Sequence, residues 1–355
     1  MISAALLSLL LPLSFINLPA AAQSPLVQAG ALAPGAVLAA PAPAGVTAER
    51  GALPREAALE RRKLFNYRAA DILAVKRNKP DQRKKYSVET IDVPLNDPLG
   101  SRGEYLQRYF YYRTVQPGPR PTVVVFTPFS GTKTIDAWTA VAFARRGYNA
   151  IIVVPAESLT DVSRPIDRTD DLLIRETIAG RIAIDLLETF PEADKNKIYA
   201  TGISMGGIRT ALFFGVEPRV KKASEIVGGG DLAGVITDTR FTMLKKVRDA
   251  RMEIEGLPTL EQFRAYMQSV MTVDPLDFGS LREPEDLLML MGEGDVFVPD
   301  AYQKKLYNAF SRPAEGRYPA AVYSGKGHLL SAADIGEQVR ISADFFEGKN
   351  GGTPR

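Results

Sequence analysis

The chain contains no cysteine and a single histidine, His328. The first absence removes disulfides, thiolate nucleophiles and cysteine-ligated zinc together. The second removes the usual zinc and iron constellations, which need two or three imidazoles. Any acid–base chemistry through imidazole therefore falls to His328. Charge is also missing from one end, because the first 48 residues hold no Asp, Glu, Lys or Arg. Within them, the apolar run at 2–18 is interrupted by Pro12 and is short for a membrane span. It leads into Ala20-Ala21-Ala22-Gln23, small residues of the kind a signal peptidase reads. Residues 1–22 are thus expected to be a secretory signal peptide cleaved near Ala22, and the protein to be exported, periplasmic or secreted. An uncleaved N-terminal anchor is the alternative.

What remains has ordinary globular composition. Of 355 residues, 45% are hydrophobic and 24% charged, with 44 Lys and Arg against 41 Asp and Glu. That length and balance allow a full core and exclude a disordered chain. Ala, Pro and Gly make up 19 of the 27 residues at 19–45, and residues 23–54 read as a flexible linker. Residues 49–85 then carry 12 Lys and Arg against 5 Asp and Glu. The spacing of Ala58, Leu59, Leu64, Tyr67, Ile72 and Leu73 predicts an amphipathic helix within a basic helical segment at 55–85, with the charge on its solvated face. Contact of this segment with an anionic membrane is the alternative. Nucleic-acid binding is not expected, since no reading motif accompanies the charge.

Beyond residue 85 strands and helices alternate. Residues 86–93 and 105–115 read as an antiparallel pair joined through Gly100 and Gly103. Short apolar runs at 122–126, 150–154, 198–201, 223–227, 287–291 and 320–323 read as buried parallel strands. Helices are predicted at 134–146, 170–189 and 301–310. This alternation implies an α/β domain at 86–348, with a mostly parallel central sheet and helices on both faces. Residues 232–283, helix-like and charged, interrupt the rhythm and read as a helical cap insertion, and 349–355 as a flexible tail. Tyr109, Phe110, Tyr111 and Tyr112 read as sheet packing, and Trp138 as a core residue of its helix.

The predicted strand at 197–201 runs into Gly202-Ile203-Ser204-Met205-Gly206-Gly207 and then into a helical stretch at 208–214. A serine at a sharp strand-to-helix turn is held in a strained conformation and projects above the sheet, and its neighbours two residues away must be nearly free of side chain. Gly202 and Gly206 meet that need. A helix starting at Met205 would aim its first amides and dipole at a developing oxyanion. Two further strands end in chemistry-bearing turns: 287–291 in Gly292-Glu293-Gly294-Asp295, then Val298-Pro299, and 320–323 in Ser324-Gly325-Lys326-Gly327-His328. Both turns fall at the carboxyl edge of a parallel sheet, where open α/β sheets bind ligands.

The order Ser204, Asp295, His328, the G-x-S-x-G-G form and the G-x-G-D-x-x-V-P stretch resemble the α/β-hydrolases over about 86–347, in particular their bacterial serine esterase and dienelactone-hydrolase-like branches. The resemblance implies that Ser204 is the nucleophile, His328 the base and then acid, and Asp295 the group that orients the imidazole. Asp231 is the competing acid, with Asp274 and Asp277 behind it. The resemblance also implies an oxyanion hole built from the amide of Met205 and one from the loop Thr127-Pro128-Phe129-Ser130-Gly131, where Thr127-Pro128 replaces the usual His-Gly. Phe129 is the expected donor and Ser130 the alternative.

The expected function is hydrolysis of carboxylic esters, small-molecule or acyl-ester substrates, with no metal or organic cofactor. Dienelactone-hydrolase chemistry proper needs a thiol that this chain lacks. A peptidase resembling the prolyl-oligopeptidase branch, an acyltransferase, and a non-catalytic binding protein on a hydrolase scaffold are the alternatives. Arg164 and Arg168 offer an anionic subsite, or a solvated salt network with Asp161, Asp167, Asp170 and Asp171.

Overall fold

The computed structural model describes residues 50–128, 134–329 and 334–349. The expected signal peptide at 1–22, the linker as far as residue 49, the candidate donors Phe129 and Ser130, and the tail from 350 lie outside the described residues. Ten strands form one sheet: β1 (Lys76–Arg77), β2 (Asp81–Gln82), β3 (Tyr86–Asn96), β4 (Glu104–Thr114), β5 (Arg120–Phe126), β6 (Asn149–Val154), β7 (Ala193–Ile203), β8 (Lys222–Ile226), β9 (Leu287–Gly292) and β10 (Ala320–Ser324). Their spatial order is β1-β3-β4-β6-β5-β7-β8-β9-β10, with β2 also on β3. From β6 to β10 every neighbouring pair is parallel, and β4 joins this block antiparallel to β6.

The helices are α1 (Arg55–Arg62), α2 (Thr134–Arg145), α3 (Thr169–Thr189), α4 (Met205–Val216), α5 (Leu232–Asp238), α6 (Thr242–Ile254), α7 (Leu260–Val270), α8 (Asp300–Phe310) and α9 (Ile335–Phe346). They explain why the inner parts of the parallel strands are largely apolar on both faces. Successive side chains point to opposite faces of a strand. On β5, Val124 and Phe126 enter one core, with Ile178 of α3, Phe213 of α4 and Leu306 of α8. Val123 and Val125 enter the other, with Phe143 of α2 and Val339 and Phe346 of α9. Both faces are covered, so a polar side chain on an inner strand is buried.

The predicted strands and helices of the parallel block are present with ends that differ by a few residues. Two expectations differ more. The basic segment is not one helix: α1 stops at Arg62, and β1 and β2 pair antiparallel with β3. The extended backbone at 76–77 and 81–82 gains sheet hydrogen bonds that a solvated helix would not offer, and part of the charge is taken up in ion pairs near and far in sequence. Arg50 and Arg61 reach Asp277 at 2.7 and 3.1 Å, Arg68 reaches Asp71 at 2.7 Å, and Arg77 reaches Glu89 at 2.6 Å. Among the described residues no helix is long and apolar enough to cross a membrane. Trp138 is not core but 57% exposed. The buried stripe of α2 runs through Asp136, Thr139, Ala140, Phe143 and Ala144, and position 138 lies off it.

The hairpin β3–β4 is fastened to α3 by a buried ion pair. Arg175 donates from Nε and Nη2 to Asp97 at 2.8 and 2.9 Å, and from Nη2 to the Ser101 hydroxyl at 2.6 Å. Burial by itself would raise the Asp97 carboxyl, but the bonds and charge of Arg175, with the Leu99 and Ser101 amides, hold it below the usual range. A depressed carboxylate stabilises the fold above its unfolded pKa and loses that contribution as pH falls through the folded value. Asp97→Asn removes the nearest counter-charge of buried Arg175, leaving it Glu157 at 3.6 Å and Asp171 at 3.8 Å, and is expected to cost up to about 3 kcal/mol in urea unfolding at pH 7, with the deficit shrinking in acid.

Candidate active site

β7 turns into α4 at Ser204, whose backbone takes φ 59° and ψ −122°. A non-glycine residue is strained there and persists only where its surroundings over-determine it. Here the Ser204 amide donates to the Ile226 carbonyl at 2.8 Å, and the Ser204 carbonyl accepts from Ile208 at 3.1 Å. The flanking glycines are steric necessities. A Cβ on Gly202 would lie 2.2 Å from the Gly206 carbonyl oxygen, and one on Gly206 would lie 2.4 Å from that of Phe126. Half-buried Ser204 thus stands at the N-terminus of α4, whose first amides have no acceptor within the helix.

The sequence-predicted acid and base meet. His328 Nδ1 and Asp295 Oδ2 are 2.7 Å apart, with the Asp295 side chain fully buried and that of His328 10% exposed. The other oxygen of Asp295 accepts from the amides of Phe297 and Val298 at 2.7 and 3.0 Å, so the carboxylate is fixed in rotation. The two turns pack tightly enough that a Cβ on Gly292 would lie 2.5 Å from the Gly327 carbonyl oxygen. The competing acids are engaged elsewhere. Asp231 accepts from the Gly234 amide and from Lys305, Asp274 from the amides of Asp231, Leu232 and Leu276, and Asp277 from Arg50 and Arg61. Arg164 lies 2.7 Å from Glu157 and Arg168 3.4 Å from Asp171, the arrangement of a salt network. Among the described residues no three His, Cys, Asp or Glu side chains converge as a metal site.

Ser204 and Met205 form the floor of a largely apolar cleft, walled by α5, α6 and α7 and closed on one side by Phe297 and Val298. The Phe297 ring lies against the face of His328, with centroids 4.0 Å apart and planes 9° from parallel. Phe297 thus touches both the cleft and His328.

Three features of the site escaped the sequence reading. Arg209, five residues beyond Ser204, is buried on α4, with Nε 2.5 Å from Glu176 of α3. It also donates from Nη1 to the Thr127 carbonyl at 2.7 Å, which ties the chain leaving β5 to α4. The available signal was a lone arginine in the apolar stretch Ile208–Phe214. Glu225 is fully buried on β8, beside Gly202 in the sheet register. A Cβ on Gly207 would lie 2.9 Å from its carboxyl oxygen, which puts the carboxyl under the serine turn. Burial pushes this carboxyl up to about 8, partly offset by the Gly228 amide and reinforced by the charge of Asp295. A glutamate inside an apolar strand was the signal. Phe297, the third, follows Asp295 by two residues and showed no sequence signal at all.

The sequence matches the prolyl oligopeptidase family over residues 182–353. No curated protein matches it. Among solved structures it is similar to acetyl xylan esterase 1 from Thermoanaerobacterium sp. JW/SL YS485, at 16% identity and a TM-score of 0.57, covering 81% of this chain and 95% of that one. The acetyl xylan esterase from Paenibacillus sp. R4 is similar at 14% identity and 0.59, covering 82% and 96%. The acylaminoacyl peptidase from Pyrococcus horikoshii gives 15% and 0.52, covering 80% of this chain and 52% of that one. At such identities the likeness concerns the fold.

Glu225 generates an expectation that does not depend on activity. A carboxyl raised in the fold supports stability below its unfolded pKa and loses that support as pH rises through the folded value. Glu225→Gln removes this titration. Its stability relative to the parent is expected to grow by a few kcal/mol, order of magnitude, between pH 5 and pH 9 in urea unfolding.

Proposed function

We propose that this chain, an α/β-hydrolase by fold and a serine hydrolase, cleaves carboxylic esters through an acyl-enzyme on Ser204. The observation that carries the reading is the 2.7 Å contact of buried Asp295 with the only histidine, which stacks on Phe297, a wall of the cleft that the strained serine turn also lines. In this mechanism Ser204 Oγ attacks the ester carbonyl while His328 takes its proton. The tetrahedral oxyanion is held by the amide of Met205 and, in the same proposal, that of Phe129. The carbonyl–alkoxy bond then breaks and the alcohol leaves with the proton from His328. Water, deprotonated by His328, attacks the acyl carbonyl and releases the acid and Ser204. Asp295 holds the imidazole in orientation and offsets the positive charge it acquires.

The cleft walls support an apolar acyl or alcohol group as the substrate part bound beside Ser204: Ile208, Leu232, Val235, Phe263 and Met267 face it. Two similar structures are named as acetyl xylan esterases, which agrees with ester chemistry. A serine peptidase is the second reading, favoured by the family match over 182–353. Against it, the charged residue among the cleft walls is Arg251, whose sign does not suit a substrate ammonium group. Export with cleavage near Ala22 belongs to the same proposal, and N-terminal sequencing of the mature protein tests it.

Hydrolysis of a p-nitrophenyl ester series from acetate to palmitate tests the reaction, with Ser204→Ala in parallel. Turnover is expected to peak above acetate and to fall by about 10⁴-fold or more in the variant. Failure of a folded protein to turn over any ester, together with cleavage of aminoacyl p-nitroanilides, would replace the esterase reading with the peptidase one.

A further inference from the structure

His328 is one end of a stack of three rings. Phe297 lies on its face at 4.0 Å and 9°, and Phe241 lies on the other face of Phe297 at 3.9 Å and 21°. The three rings come from three parts of the chain. His328 follows β10, Phe297 belongs to the turn after β9, and Phe241 is the N-cap residue of α6. The approach of the last is secured by backbone, since the Arg240 amide donates to the Val296 carbonyl at 2.8 Å. Phe297 is secured in turn by its own amide, which donates to Asp295 at 2.7 Å. The carboxylate that contacts the imidazole edge therefore also sets the ring that covers the imidazole face.

α6 also forms part of the cleft wall, through Leu244 and Val247, one turn and two turns beyond Phe241. A group filling the cleft presses on the same helix whose N-cap residue ends the stack. Aromatic faces in offset contact resist tilting and sliding against each other. Two such contacts in series give the imidazole plane a mechanical connection to the substrate-facing wall.

We propose that Phe297 is a positioning residue that fixes the plane of His328, and that Phe241 couples this position to α6, so that occupancy of the apolar cleft is sensed at the general base. The proposal rests on the hydrolase reading for its catalytic consequence, but not for its geometry. Substrates that reach the α6 wall gain in kcat as well as in KM, because the wall settles the base as it binds the chain. Short esters leave the wall unfilled and gain neither.

The single histidine makes the test direct, since the imidazole contributes one pair of carbon-bound proton resonances. In the parent these are expected upfield, shielded by the Phe297 ring, and Phe297→Leu is expected to move them downfield. Phe241→Leu is expected to shift them in the parent background and to leave them unchanged in the Phe297→Leu background. Because Phe297 acts on Asp295 through its backbone, the variant keeps that hydrogen bond, and both rings are half-buried, which favours folding. In ester turnover, Phe297→Leu is expected to lower kcat by roughly 10- to 100-fold with KM for acetate little changed, and to flatten the rise of kcat with chain length. Phe297→Tyr, which retains the ring, is expected to restore both.

Unmoved histidine resonances in Phe297→Leu would overturn the stack whatever the activity. Moved resonances with an unchanged kcat would overturn the positioning role. Independent, additive effects of the two phenylalanines on the resonances would overturn the coupling to α6. Should no ester be turned over, the resonances still decide the stack and the coupling, so failure of the esterase reading is told apart from failure of this one.

Discussion

Ser204 sits in a backbone conformation that a non-glycine residue avoids, and much of the surrounding structure serves to hold it there. The turn can be that sharp only if β7 and α4 nearly touch, which is why positions 202 and 206 have no room for a methyl group. Close approach in turn requires α4 to be buried on every side, and its twelve residues are all buried, Arg209 included. The Ile226 carbonyl that accepts from the Ser204 amide comes from the end of β8, so the turn also depends on the register of its neighbouring strand. A shift of β8 by one residue would remove that bond and reverse which side chains face each core.

Burial on this scale forces polar groups into places where they must be matched. Arg209 answers to Glu176 and to the Thr127 carbonyl, Arg175 to Asp97, and Asp295 to His328 and two amides. Glu225 answers differently, with burial raising its carboxyl to about 8 so that it is mainly neutral near pH 7. A neutral acid beside Asp295 spares that carboxylate the repulsion of a second negative charge. Burial thus acts on two carboxyls near the site, raising Glu225 to about 8 and Glu176, beside Arg209, to about 7.

The insertion between β8 and β9 supplies what the sheet cannot. The ends of parallel strands deliver a serine, an acid and a histidine to one edge, but they leave that edge open. α5, α6 and α7 turn the edge into a cleft with apolar walls, and the docking of Arg240 and Phe241 against Val296 and Phe297 brings the insertion to the histidine. The sheet brings Ser204, Asp295 and His328 to its edge, and the insertion brings the apolar walls.

The alternation of short apolar runs with helical stretches determined the parallel block, because strands covered on both faces must be apolar at successive positions. Gly202, Ser204 and Gly206 were legible because a strained turn leaves few residue types able to form it. Asp295 and His328 were legible as residues following strands, the histidine all the more as the only one. The sequence alone could not exclude Asp231, since its place after a strand looks the same; the tertiary fold decided it by giving Asp231 to Lys305 and Gly234. Trp138 and the basic segment were misjudged because periodicity does not say which face of a helix meets the sheet, or that a charged stretch will find a strand to pair with. Arg209, Glu225 and Phe297 act across distances in sequence that no local pattern records. Local sterics set the turn and the strands, whereas contacts between remote segments, which exist only once the chain is folded, chose the acid's partner, the walls of the cleft and the ring that covers the imidazole.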